Sequence, residues 1–282
     1  MAIVVLAAFA GLLAPLAATA AEPVPLAQLS HIHGIGFDPA APGSLFLATH
    51  HGLYRAAPDG TAVALSEDRS DYMGFTPDPA DAGRLLASGH PEGGGNLGVI
   101  VSEDGGASWT QLSAGANGPV DFHAMTISRA DPKTVYGLYG DIQISRDGGM
   151  TWSVAGPAPG RVIDLAASPS QPDQLYAATV EGLILSSDAG QSWAPIGPAG
   201  VATTMVETTS DGSIYAFFAG AGLFRLSPSD GQWTALAGDF GESYILHLAA
   251  DPADPADLVA VTDASDVIES VDGGKSWEPF GP

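Results

Sequence analysis

The 282-residue chain carries nine basic against 32 acidic residues, a net charge of −23, and no cysteine. Thiolate catalysis, acylation through cysteine and Cys-based zinc or iron–sulfur sites are thereby excluded, and polyanions such as nucleic acid or anionic membrane are poor partners. The acidic residues fall mainly in turns (Asp78, Asp81, Asp131, Asp251, Asp254), which reads as a solvated shell.

Residues 1–20 are uncharged and almost wholly Ala, Leu, Val, Ile and Gly, and Ala18-Thr19-Ala20 offers a small-residue cleavage site. This predicts a secretory signal peptide and an exported, periplasmic or extracellular protein, although no basic residue precedes the apolar stretch. The alternative is an uncleaved anchor, since about 20 apolar residues can span a bilayer. After cleavage no membrane span is expected, and residues 21–282 should form one monomeric domain whose core suffices without disulfides.

In chain order, each unit begins with a strand such as His33–Phe37 or Val162–Ala166, followed by an Asp/Pro/Ser turn. A second strand follows (Leu45–Thr49, Leu175–Thr179), then a third such as Gly182–Ser186, and a short fourth. Short runs rich in Val, Ile, Leu and aromatics, bounded by Gly, Pro and Asp, are strands. The third strand runs into a recurring phrase: Ser102-Glu-Asp104-Gly-Gly106-Ala-Ser-Trp109, then the copies ending at Trp152, Trp193 and Trp277. A damaged copy ends at Trp233, and Ala57-Pro-Asp59-Gly60 replaces the phrase in the first unit. Successive tryptophans stand 40–44 residues apart, the period of a propeller blade. The reading is an all-β, six-bladed β-propeller of four-stranded blades, at about 30–67, 68–115, 116–157, 158–198, 199–238 and 239–282. Ring closure could set Glu22–Ser30 as an outer strand beside the last blade.

The phrase S-x-D-x-G-x-x-W resembles the Asp-box, or BNR repeat, of sialidases, sortilin-type receptors and related propellers. Its residues (Asp104 and Trp109, Asp147 and Trp152, Asp188 and Trp193, Asp272 and Trp277) read as structural. The aspartate accepts turn hydrogen bonds, glycine permits positive φ, and tryptophan packs back on the sheet. The resemblance implies a peripheral hairpin staple, not a catalytic aspartate or a calcium loop.

Superposing the units at offsets of 40, 90 and 130 places His33 on Met73, His123 and Ile163, and His31 on Asp71, Asp121 and Arg161. His50 falls on His90, with His51 alongside. Positions two apart in a strand share a face, and antiparallel neighbours bring the start of one strand beside the end of the other. With the first strands lining the central channel, six of the seven histidines, His31, His33, His50, His51, His90 and His123, should gather at one channel mouth with Met73, Asp71 and Asp121. The seventh, His247, falls on the register of Gly34 and should face into a blade. Such a cluster is either a hydrated polar channel or a metal site. Imidazole suits copper and zinc, a methionine thioether tilts the choice to copper, and a carboxylate can ligate or orient a histidine.

The segments His31–Phe37, Ala48–Tyr54, Tyr72–Phe75, Ala87–Pro91 and Val120–Met125 also resemble the exported bacterial Asp-box proteins labelled glycosyl hydrolase or exo-α-sialidase-like. That resemblance implies a glycan or other small molecule at the channel mouth. A sialidase, however, clamps its substrate with three arginines, and its Phe/Tyr-Arg-Ile-Pro hallmark is absent. Most of the seven arginines, Arg129 in a turn among them, sit away from the expected mouth. A glycosidase of another type would use Asp71 and Asp121, with Asp164 or Glu181 as partner. The third reading is a non-catalytic scaffold for a protein partner.

Overall fold

The computed structural model describes residues 22–282, so the leader at 1–20 lies outside the described residues. Six antiparallel sheets follow one another along the chain. Their innermost strands are Ile32–Phe37, Asp71–Pro77, Ala124–Ile127, Val162–Ala167, Thr203–Thr208 and Ile245–Ala250. Each packs against the next and the last against the first, closing a ring. Among the described residues the helical content is one 3-10 turn, Leu26–Gln28. The protein is therefore an all-β, six-bladed propeller.

The hydrophobic core is divided into six apolar clusters, one at each seam between neighbouring blades. This follows from the alternation of the strands: both faces of a blade are covered, so second strands such as Leu45–Thr49 and Leu258–Thr262 are buried throughout. The Asp-box serves the seams. In the second blade, Ser102 Oγ donates to Asp104 Oδ1 (2.8 Å) and accepts from the Gly106 amide (2.8 Å). Asp104 also accepts from the amide and hydroxyl of Ser108. The same network recurs around Asp147, Asp188 and Asp272. The hydroxyl and amide donors of Thr151 hold the Asp147 carboxyl down at about 2.

The tight turn lets each box reach across to the preceding blade. Gly106 has φ +91°, and a Cβ there would lie 2.5 Å from Leu53 Cδ2 of the first blade, so glycine is required for both conformation and approach. Trp109 stacks near Tyr72 (5.0 Å between rings) in the cluster shared by the first and second blades. Trp152 donates to Ser113 Oγ of the second blade at 3.1 Å. Even the degenerate fifth copy keeps this role, its Trp233 donating to Ile196 O at 3.2 Å. The tryptophans thus plug seams as well as covering their own sheets.

Ring closure differs from the expectation. Val24–Pro25 pairs with Thr61–Ala62 as a fifth, outermost strand of the first blade, not beside the last. The last blade supplies its own outer strand, Glu278–Pro279. The first blade has the compact Asp59 turn, in which Asp59 Oδ1 accepts from the Thr61 amide and hydroxyl. Its outer edge is left open, and the N-terminal segment covers it. The closing seam is held by packing of Ile32, Leu47, Val259, Val261 and Phe280, with His31 N donating to Ser265 Oγ (3.1 Å) across it.

Candidate metal centre

Residues that break the blade symmetry gather where the first three inner strands begin. His33 is a bulge residue: Ile32 pairs with Thr49 and Gly34 with Ala48, leaving His33 unpaired between them. A bulge re-aims the side chain it carries, and His33 lines the central cavity. Asp71 opens the second inner strand opposite His90. Asp121 and His123 lie in the segment just before the third inner strand, and His50 follows the second strand of the first blade.

Two groups result. In one, Asp71 Oδ2 is 2.8 Å from His50 Nδ1 and Asp71 Oδ1 is 3.5 Å from His33 Nε2. In the other, Asp121 Oδ2 is 2.9 Å from His90 Nε2 and 2.8 Å from His123 Nε2. Within each group one donor atom per residue lies within 4.8 Å of the others. Asp121 is buried and Asp71 half-buried, and the imidazoles are more open, His123 being 64 % exposed. In both groups an aspartate from one blade reaches a histidine of the blade before it, so each group bridges a seam.

The electrostatics separate the histidines. Burial, reinforced by His50, His31 and His123, lowers the His33 pKa against the opposing pull of Asp71, which keeps its ring neutral. The hydrogen bond to Asp121 raises that of His123 against burial. Burial pushes Asp121 up, but the hydrogen bonds and charges of His123 and His90 outweigh it and hold its carboxyl below the usual range.

The remaining predicted residues surround these groups. The rings of His31 and His51 stand 5.8 and 5.4 Å from that of His50, and both residues are exposed. His31 adopts φ +54°. Met73 is half-buried, pairs with Ser88, and is not among the residues lining the cavity. In the second blade the ladder slips between Met73 and Thr76, so Met73 is not a bulge residue as His33 is.

The cavity of about 390 Å³ also holds groups that the sequence reading placed elsewhere. His247 lines it, contrary to the expectation that it faces into a blade. The sixth inner strand bulges between Ile245 and His247, as the fourth does between Val162 and Asp164, so His247 and Asp164 occupy equivalent positions. Burial and the neighbouring His33 push the His247 pKa down to about 4. Arg129, set aside as a turn residue, lines the cavity too, 4.0 Å from Glu207. Asp164 accepts from the amides of Leu165 (2.8 Å) and Val206 (3.0 Å), yet burial raises its carboxyl to about 7. Burial and the Asp164 charge raise Glu207 to about 8 against the pull of Arg129. Glu181 is exposed and outside the cavity. Glu207 and His247 could have been found by aligning the later inner strands around their bulges.

Fold and site together define an Asp-box repeat β-propeller with a histidine–aspartate channel mouth. The BNR/Asp-box repeat family profile matches residues 143–154, the box of the third blade. No curated protein sequence matches the chain. Similar solved structures include the GH74 enzyme of Niastella koreensis, 17 % identical with a TM-score of 0.65, the alignment covering 89 % of this chain and 45 % of that one. This chain therefore spans less than half the length of that enzyme. A gluconolactonase from Xanthomonas campestris is 16 % identical with a TM-score of 0.63, covering 84 % and 85 % of the two chains. YCF48 bound to D1 peptide is 19 % identical with a TM-score of 0.57, covering 92 % and 83 %. At these identities the likeness is one of fold. Among the described residues no helix is long and apolar enough to cross a membrane.

Proposed function

We propose that this propeller is an exported metal-binding protein that holds a zinc or copper(II) ion at His33, His50 and Asp71. One observation carries the reading: His33 Nε2 and Asp71 Oδ1 are buried, lack any hydrogen-bond partner, and lie 3.5 Å apart. Unsatisfied buried polar atoms are costly. Metal–ligand bonds of about 2.0–2.1 Å in tetrahedral geometry put neighbouring donors roughly 3.3–3.5 Å apart, so the pair matches an edge of such a site. A neutral His33 suits a ligand, and His50, whose Nδ1 lies 2.8 Å from the other Asp71 oxygen, closes the group. Imidazole and carboxylate suit zinc and copper(II).

The test is metal uptake by EDTA-stripped protein, followed by competition with a coloured chelator. His33→Ala and Asp71→Asn should each weaken zinc or copper binding by at least tenfold with an unchanged thermal transition. Equal uptake by wild type and both variants would overturn the assignment.

A second reading, a glycosidase, is favoured by a different observation. Asp71 and Asp121 are engaged by histidines, and Asp121 is held ionised, which suits neither to the role of general acid. Asp164 and Glu207, raised to about 7 and 8 inside the cavity, are the carboxyls with the required pKa. Turnover of aryl glycosides that vanishes in Glu207→Gln but survives Asp121→Asn would support this reading.

A further inference from the structure

We propose that the channel mouth holds two metal ions, the second bound by His90, Asp121 and His123. This rests on the metal-binding reading above and extends it to a binuclear centre.

The argument begins with the His90 ring. Its Nδ1 is 2.8 Å from the Gly95 carbonyl oxygen, which can only accept, so Nδ1 carries a proton. The Nε2 of a neutral ring is then a lone pair, yet it faces Asp121 Oδ2 at 2.9 Å. Two lone pairs at that distance require a cation, either a proton or a metal. His123 Nε2 approaches the same oxygen at 2.8 Å, placing two imidazole nitrogens around one carboxylate oxygen. A proton on His90 would satisfy that contact but leave Asp121 Oδ1, which is buried and has no partner. A metal ion held by the two Nε2 atoms can engage both carboxylate oxygens. The Gly95 carbonyl then plays the part usual for the outer partner of a ligating histidine, fixing tautomer and orientation. Donor separations of 2.8–2.9 Å are shorter than a tetrahedral edge, so the ion would open the group by roughly half an ångström.

The second group repeats the construction of the first, one blade along. Asp71 reaches back from the second blade to His50 of the first, and Asp121 from the third blade to His90 of the second. Asp71 and His90 are themselves ladder partners, so a member of each group sits on adjacent strands with Cα atoms about 4.5–5.5 Å apart. Two divalent cations would be half neutralised by the two aspartates, within a chain of net charge −23.

The experiment counts zinc equivalents bound by EDTA-stripped full-length protein, using competitive chelator titration and elemental analysis after gel filtration. Wild type should bind two. Asp121→Asn and His123→Gln should each bind one, and His33→Ala should bind one, all with a thermal transition near that of wild type. Two equivalents unaffected by Asp121→Asn and His123→Gln would overturn the second site. One equivalent in wild type, lost in His33→Ala and indifferent to Asp121→Asn, would overturn it while leaving the single-metal reading standing. No bound zinc in wild type would overturn both.

Discussion

Glu207→Gln should make the protein more stable at alkaline pH while leaving it nearly unchanged at pH 5. The carboxyl lies in the channel cavity with the pKa raised from 4.5 to about 8, chiefly by burial and further by Asp164, with Arg129 opposing at 4.0 Å. Below pH 4.5 the group is protonated whether the chain is folded or not. Between pH 4.5 and 8 the unfolded chain releases its proton and the folded one retains it, so stability falls as pH rises through that window and the loss is complete above pH 8. At about 1.4 kcal/mol per unit, the full displacement corresponds to roughly 5 kcal/mol. The side chain keeps 27 % exposure to the channel, and water there screens the ionised form, so the expected gain at pH 9 is about 2 kcal/mol. That is a rise of roughly 4–8 °C in Tm for a domain of this size. Thermal or urea unfolding of both proteins with chelator present, at pH 5 and pH 9, measures it. A difference that does not depend on pH, or a variant weaker than wild type at pH 9, would refute the reasoning. Arg129→Gln should act in the opposite sense, destabilising at pH 9, since it removes the charge that favours the ionised glutamate.

Two further outcomes are expected. Zinc at a hundredfold excess over its Kd should stabilise the folded chain by about 2.7 kcal/mol per occupied site, seen as a higher Tm by differential scanning calorimetry, with a smaller rise in His33→Ala. Gly106→Ala should destabilise by at least ~2 kcal/mol in urea unfolding, because it combines φ +91° with a Cβ placed 2.5 Å from Leu53 Cδ2; a neutral substitution would show that the box does not need its close approach to the preceding blade.

The blade period was present in the spacing of Trp109, Trp152, Trp193, Trp233 and Trp277, the strand order in the apolar runs between them, and the peripheral place of the Asp-box in its resemblance to other propellers. These properties are local: a turn that needs Ser, Asp, Gly and Trp at set intervals writes itself into every repeat. The pairing of Asp71 with His90 was also there, because a constant offset of 40 residues preserves the ladder. What no offset could decide was which side chains turn inward and with whom they meet. His33, Asp164 and His247 owe their settings to bulges, which shift the register by one residue and reverse the facing of a side chain. Asp71 bonds to His50, and Asp121 to His90, across a seam between blades, where the relation is set by the packing of separate sheets. Glu207 and Arg129 became cavity residues for the same reason. Repetition along the chain determined the scaffold, and the chemistry came from contacts between blades, which depend on twist, bulge and ring closure and leave no period in the sequence.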